Sequence, residues 1–266
     1  MAHTYGHVIL VGIDGAGCFY KKTDTPAIDG FFRDGSGTDR CLTSLPTISA
    51  ECWGSMLIGV PPEVHGLTNS IVERDPYLNK EHPTVFRLIR ESRPDAVLAS
   101  FSNWSPINAG IVERGLGVHL DTGDDGALCE RICSYIKEEK PDFLFVQFDS
   151  VDTAGHSYGY GSEKYLEVLA TADGYLGRIR EAVEEAGIAD DTLLIATADH
   201  GGFGQSHGGD TDAEKFVFFA AVGKTVPKGG TVELEVKDIP AIVVRALGVK
   251  GAGNWDARLP DGLFTE

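Results

Sequence analysis

Five short apolar runs punctuate the chain: HVILVGI (7–13), AVLAS (96–100), DFLFVQF (142–148), TLLIATA (192–198) and KFVFFAAV (215–222). Each is rich in β-branched or aromatic residues, the composition of a strand buried on both faces. Segments of helical period lie between them: TVFRLIRES (84–92), GALCERICSYIKEE (126–139) and the long SEKYLEVLATADGYLGRIREAVEEAG (162–187), whose final Gly187 suits a helix stop. DIPAIVVRALG (238–248) adds another helix near the C-terminus. Strands alternating with helices predict a mostly parallel central sheet in a three-layer α/β/α sandwich. No repeat, low-complexity tract or linker marks a boundary, so residues 1–266 are read as a single domain. The stretches 14–50, 60–80 and 101–124 read as irregular, and connections of that length are usually functional.

Bulk composition narrows the partners. The 266 residues are 42% hydrophobic and 24% charged, ample for a sizeable core. Acidic residues outnumber basic ones 40 to 23, a formal charge of −17. That excess argues against a nucleic-acid duplex or an anionic membrane as partner. Cys18, Cys41, Cys52, Cys129 and Cys133 form no Cys-x-x-Cys pair and read as reduced thiols, with Cys129 and Cys133 as core residues one helical turn apart. The N-terminal segment has no basic region followed by a long apolar stretch, and no run approaches eighteen apolar residues. A soluble, cytoplasmic protein is the expectation. His3 and His7 are assigned ordinary surface or strand-edge roles.

The acids add chemistry to this frame. VILVGI runs into Asp14, FLFVQF into Asp149 and Asp152, and LLIATA into Asp199-His200. In a parallel sheet such strand ends share one edge, where open α/β sheets bind ligands. Carboxylates gathered there repel one another unless protonated or neutralised by cations, so the pattern points to a metal site. His156, His200 and His207 fall beside those acids, and mixed imidazole and carboxylate ligands suit zinc or a similar transition ion. GIDGAG (12–17) is a poor match to a dinucleotide loop, because Asp14 replaces the central glycine; its glycines are read as room for a turn. In SLPTISAECWGSMLIG (44–59), Thr47 and Ser49 stand at or just before a helix N-terminus, a favourable place for an anion. A hydroxyl beside a metal there also ionises more easily.

GIDG, TPAID (25–29), PTISAECWGSMLIGVPPEVHG, VDTAGHSYG and ADHGGFGQSHGG, in that order, resemble the alkaline phosphatase superfamily, and most of all its type I phosphodiesterase/nucleotide pyrophosphatase branch. The resemblance spans nearly the whole chain. It implies an alkaline-phosphatase-like fold with no large cap domain, and two divalent ions, zinc or manganese. One ion would be held by Asp152, His156 and His207, the other by Asp14, Asp199 and His200. Ser49 matches the branch's catalytic threonine, and Thr47 a threonine that is not the nucleophile. The implied activity is hydrolysis of a small phosphate ester or nucleotide through a covalent phosphoserine-type intermediate. Cys52 departs from the pattern, standing where the branch has an asparagine that helps hold a phosphate oxygen. Asn69 or Asn103 could supply that amide, and Trp53 or Trp104 could stack on a base. A sulfatase is excluded, since Cys41 opens CLTSL and not a formylglycine motif. A phosphomonoesterase, or a metal-binding module without turnover, is the alternative.

Overall fold

The computed structural model describes residues 4–78 and 80–265; His3 lies outside them. Its centre is one eight-stranded sheet built from β1 (His7–Ile13), β2 (Ser36–Leu42), β3 (Leu98–Ser102), β4 (His119–Thr122), β5 (Phe143–Phe148), β6 (Thr192–Thr197), β7 (Phe216–Val222) and β8 (Gly230–Thr231). The strand order is β4-β3-β5-β1-β6-β7-β2-β8. From β4 to β6 every pairing is parallel. β7 runs antiparallel to both β6 and β2. Central strands are buried almost throughout, because helices cover both faces.

Ten α-helices among the described residues serve this sheet: α1 (Pro26–Asp34), α2 (Ser49–Ile58), α3 (Pro62–His65), α4 (Asn69–Val72), α5 (Val85–Ser92), α6 (Asp125–Glu139), α7 (Ser150–Tyr158), α8 (Glu163–Glu185), α9 (Asp212–Lys215) and α10 (Ile239–Ala246). One layer is formed by α1, α6, α7 and α8, the other by α2, α5 and α10. α8 covers almost the whole segment expected from its 3.6-residue period, and Gly187 follows it in the left-handed conformation at φ 70°. α1 is fastened to α8 by Asp173, whose two carboxylate oxygens accept the Ala27 and Ile28 amides at 3.0 and 2.8 Å. No helix of the described residues is long and apolar enough to cross a membrane.

The departures from the sequence pattern have physical reasons. The stretch 14–50 is not irregular throughout: it contains α1 and β2. SGTDRCL lacks an apolar run because β2 lies near the sheet edge and carries a register shift between Thr38 and Cys41. β4 is a short edge strand with largely exposed side chains, and so gives no hydrophobic signal. The run at 96–100 yields a strand displaced to Leu98–Ser102, and the antiparallel direction of β7 leaves no mark on a buried run.

Candidate active site

β5, β1 and β6 lie side by side and parallel, so their carboxyl ends bring Asp149, Asp14 and Asp199 to one sheet edge. α7 begins at once after β5 and carries Asp152 and His156 one turn apart on the same face. The loop after β6 supplies His200 and, after a short hairpin, His207. Gly15 turns the chain after Asp14 with φ at 67°, and a Cβ there would sit 2.5 Å from Oδ1 of Asp152. The glycine of GIDG thus allows the two acidic loops to meet.

Two candidate ligand triplets result: Asp152, His156 and His207, and Asp14, Asp199 and His200, with donor atoms in each triplet within 4.8 Å of one another. Nε2 of His200 lies 3.5 Å from Oδ1 of Asp14 and 3.3 Å from Oδ2 of Asp199. Nε2 of His156 lies 3.2 Å from Oδ2 of Asp152, and Nε2 of His207 lies 4.0 Å from its Oδ1. The triplets adjoin, since the His200 and His207 rings stack with centroids 3.9 Å apart.

The second ring nitrogens are equally ordered. Nδ1 of His200 donates to the Gly201 carbonyl at 2.9 Å, Nδ1 of His156 to Gln205 at 2.9 Å, and Nδ1 of His207 to Thr47 at 2.7 Å. A carbonyl only accepts, so each neutral ring keeps its proton on Nδ1 and turns an unprotonated Nε2 toward the carboxylates. Each aspartate of the inner triplet likewise has one satisfied oxygen and one bare one. Oδ2 of Asp14 accepts from Trp53 Nε1 and Gln147 Nε2, both at 2.9 Å. Oδ1 of Asp199 accepts the Gly15 and His200 amides at 3.1 and 2.8 Å. Oδ1 of Asp14 and Oδ2 of Asp199 are buried without a hydrogen-bond partner. Two buried, orphaned carboxylate oxygens facing an imidazole lone pair are a donor set that fits a divalent cation.

Electrostatics carry the same signature. Burial, then the charges of Asp199, Asp152 and Asp149, hold the Asp14 carboxyl well above the usual carboxylate range. Burial and Asp152 push Asp199 up to about 8. Burial lowers the pKa of His200, and burial followed by the neighbouring His200 lowers that of His207. These shifts are what a cation-binding cluster shows when only protons are there to neutralise it.

Ser49 is the first residue of α2, and its Oγ lies 3.2 Å from Nε2 of His200. Thr47 is turned elsewhere: its hydroxyl donates to the Gly209 carbonyl at 2.8 Å and accepts the Gly208 amide at 2.9 Å, which holds the loop of His207. Asn69 closes on the start of α2, its Oδ1 accepting the Ala50 amide at 2.9 Å. Cys52 is fully buried. Its thiol faces the carbonyls of Ser44 and Pro46, and burial together with Asp199 keeps it protonated. Asn103 lies one strand further out and spends its amide on Oδ1 of Asp125 at 2.7 Å. Trp104 packs on the core, and Trp53 is buried against Asp14 and not stacked in the open. Three residues with no motif to announce them also hydrogen-bond these aspartates: Gln147 and Trp53 donate to Asp14, and the Tyr160 hydroxyl donates to Oδ1 of Asp152. Gln147 alone left a trace, as the one polar interruption in FLFVQF.

The profile of type I phosphodiesterase / nucleotide pyrophosphatase matches residues 8–88 and 97–209, well over half of the chain and all of the residues just described. The chain belongs to this family. Among curated members, ectonucleotide pyrophosphatase/phosphodiesterase family member 7 of Homo sapiens is 23% identical over 219 residues, 73% of this chain and 47% of that protein. The chain therefore spans about half the length of that relative. The structure of inactive murine ectonucleotide pyrophosphatase/phosphodiesterase 5 in complex with AMP superposes with a TM-score of 0.78 at 15% identity, covering 92% of this chain and 95% of that one. A 2-O GAG sulfatase shares the fold at a TM-score of 0.77 and 13% identity, covering 96% of this chain and 73% of that one. This type I phosphodiesterase family member thus has the α/β fold with a mostly parallel sheet that its alternation of buried runs and helical segments predicts.

Proposed function

We propose that this family member is a two-metal-dependent phosphoric ester hydrolase, of the phosphodiesterase/nucleotide pyrophosphatase type, working through a covalent ester on Ser49. The reading is carried by one observation: the Ser49 hydroxyl lies against His200, in the one of two adjoining residue triplets that also holds two orphaned carboxylate oxygens. Asp14, Asp199 and His200 would hold one divalent ion and Asp152, His156 and His207 the other. The mixed donor set favours zinc, with manganese second. When bound, such a pair supplies positive charge against the phosphoryl oxygens and lowers the pKa of a hydroxyl beside it.

The chain's own groups supply the rest. The positive end of α2, which begins at Ser49, favours an anionic phosphoryl group beside that hydroxyl. Oδ1 of Asn69 is occupied by the Ala50 amide, which leaves its NH2 to donate to a phosphoryl oxygen. The Ser49 hydroxyl gives up its proton and Oγ attacks phosphorus in line, while the bond to the leaving oxygen breaks on the opposite side and that oxygen takes up a proton. Water then attacks phosphorus from the vacated side, the bond to Oγ breaks, and the proton lost by the water restores the Ser49 hydroxyl. The site aspartates pair only with histidines, and no lysine or arginine joins them among the described residues. The absence of that extra positive charge favours a monoanionic diester over a dianionic monoester.

A small nucleotide ester is the substrate class we favour, supported by the AMP bound to the murine neighbour of the same fold. We read the whole chain as one hydrolase domain, since all eight strands join one sheet. We assign it to the cytoplasm, because its five cysteines are all unpaired and suit a reducing compartment. The test compares hydrolysis of a chromogenic phosphate diester with that of the matching monoester, using zinc- or manganese-loaded protein and a chelated control. Faster, chelator-sensitive diester cleavage is expected. A monoester preference would move the protein to the phosphatases, and no turnover of either would leave a binding module.

A further inference from the structure

Gln147 sits fully buried on β5, in a strand otherwise made of apolar residues. Its Oε1 accepts the Trp104 backbone amide at 2.9 Å, and because a backbone amide can only donate, the orientation of the side chain is settled. Its NH2 therefore faces two carboxylates at once: Oδ2 of Asp14 at 2.9 Å and Oδ1 of Asp149 at 3.1 Å. Every hydrogen-bonding atom of the amide is in use, and these bonds go to neither the proposed nucleophile nor an orphaned oxygen.

The two arms lead to different triplets. On one side, Gln147 and Trp53 together occupy Oδ2 of Asp14, so the carboxylate presents its bare Oδ1 to His200. On the other, Asp149 is the residue from which α7 starts. Its Oδ2 accepts from the Thr153 hydroxyl at 3.1 Å, inside the first turn of the helix that bears Asp152 and His156. The start of α7 is held further by Asp125, whose oxygens accept the Asp149 and Ser150 amides at 3.0 and 2.9 Å.

We propose that Gln147 is a positioning residue that ties the two ligand triplets into one unit, fixing Asp14 through one N–H and the α7 ligands through the other. It rests on the ligand roles given above, and it concerns how ion binding at the two triplets is supported. Neutral and bridging, its NH2 also separates two acids that would otherwise repel.

The test is calorimetric zinc titration of the chelator-stripped full chain: native protein, Gln147→Met, which keeps the volume and loses all three hydrogen bonds, and Asp149→Ala at a partly exposed position. Melting temperatures of the stripped proteins are measured alongside. Native protein should take up two zinc ions. Gln147→Met should weaken both steps, by about tenfold or more as is usual for lost outer-sphere partners, whereas Asp149→Ala should weaken one step only. A folded Gln147→Met protein whose zinc affinities stay within about twofold of native at either step overturns the inference, because a merely structural amide moves the melting temperature and not the affinities. If Gln147→Met does not fold, Asp149→Ala decides: one weakened step supports the coupling, none refutes it. Failure of the native chain to bind two ions would instead refute the two-metal reading beneath it.

Discussion

The Ser49 hydroxyl lies 3.2 Å from Nε2 of His200, the ring nitrogen that the Gly201 carbonyl leaves unprotonated. That nitrogen also faces the two orphaned oxygens of Asp14 and Asp199. A hydroxyl at the start of a helix, an imidazole lone pair and two bare carboxylate oxygens converge on one small volume. Asp14, Asp199 and His200 would hold a cation there, beside the Ser49 hydroxyl.

Removing the charge of a proposed ligand should separate stability from binding. In the stripped protein Asp199 is buried, with one oxygen unpaired. Asp199→Asn should therefore stabilise the metal-free fold by about 1 kcal/mol or more, a rise of roughly 2 °C in Tm for a chain of this size. The same change should abolish zinc binding at that triplet. Differential scanning calorimetry with and without zinc reads both; a lower Tm for the stripped variant would show that the buried carboxylate is compensated in a way these contacts do not reveal.

The pH response follows from the direction of each shift. Asp199 titrates near 8 in the fold against an ordinary 3.8, and Asp14 is displaced the same way. A raised carboxyl stabilises the fold fully below its unfolded value, and that contribution is lost as pH rises through the folded one. His200 and His207 are lowered from 6.5, so their contribution is complete above 6.5 and is lost in acid below it. Of these four groups, only the two carboxyls still change above pH 6.5. Tm of the stripped protein should fall between pH 6.5 and about 8.5, and zinc should remove most of that fall. A flat or rising profile for the stripped protein would contradict the assigned shifts.

Asn69 has two separable tasks. Asn69→Ala removes the acceptor of the Ala50 amide, a loss of about 1 kcal/mol. It also removes the donor proposed for the phosphoryl oxygen, worth about 100-fold or more in kcat. Asn69→Asp keeps the acceptor and replaces the donor by a negative charge, so stability should hold while turnover falls at least as far. Parallel melting and rate measurements distinguish the two; equal turnover in Asn69→Asp and native protein would remove the donor role.

Much of this arrangement was legible in the sequence because it depends on strand ends. Asp14 and Asp199 follow buried runs directly, and once those runs are parallel neighbours the acids have one place to go. His156 declares itself by its four-residue spacing from Asp152. The residues that support the ligands were less visible. Gln147, Trp53 and Tyr160 come from the interior of a strand, of a helix and of a turn, and which atom each presents is decided by packing against elements far away in sequence. Cys52 and Asn69 show the same limit: one helical turn from Ser49, Cys52 points to carbonyls, while Asn69, twenty residues on, returns to cap the helix. β2 and β4 were hidden for the opposite reason, since strands at or near an edge need no apolar run.

The central claim is that Ser49, beside His200, is the nucleophile. It is tested most directly by the initial rate of chromogenic diester hydrolysis by zinc-loaded native protein and by zinc-loaded Ser49→Ala, with zinc content measured in both. The account predicts equal zinc content and a rate lowered by at least about 1,000-fold in the variant. A Ser49→Ala protein that binds the same zinc and hydrolyses the diester at the native rate would contradict it.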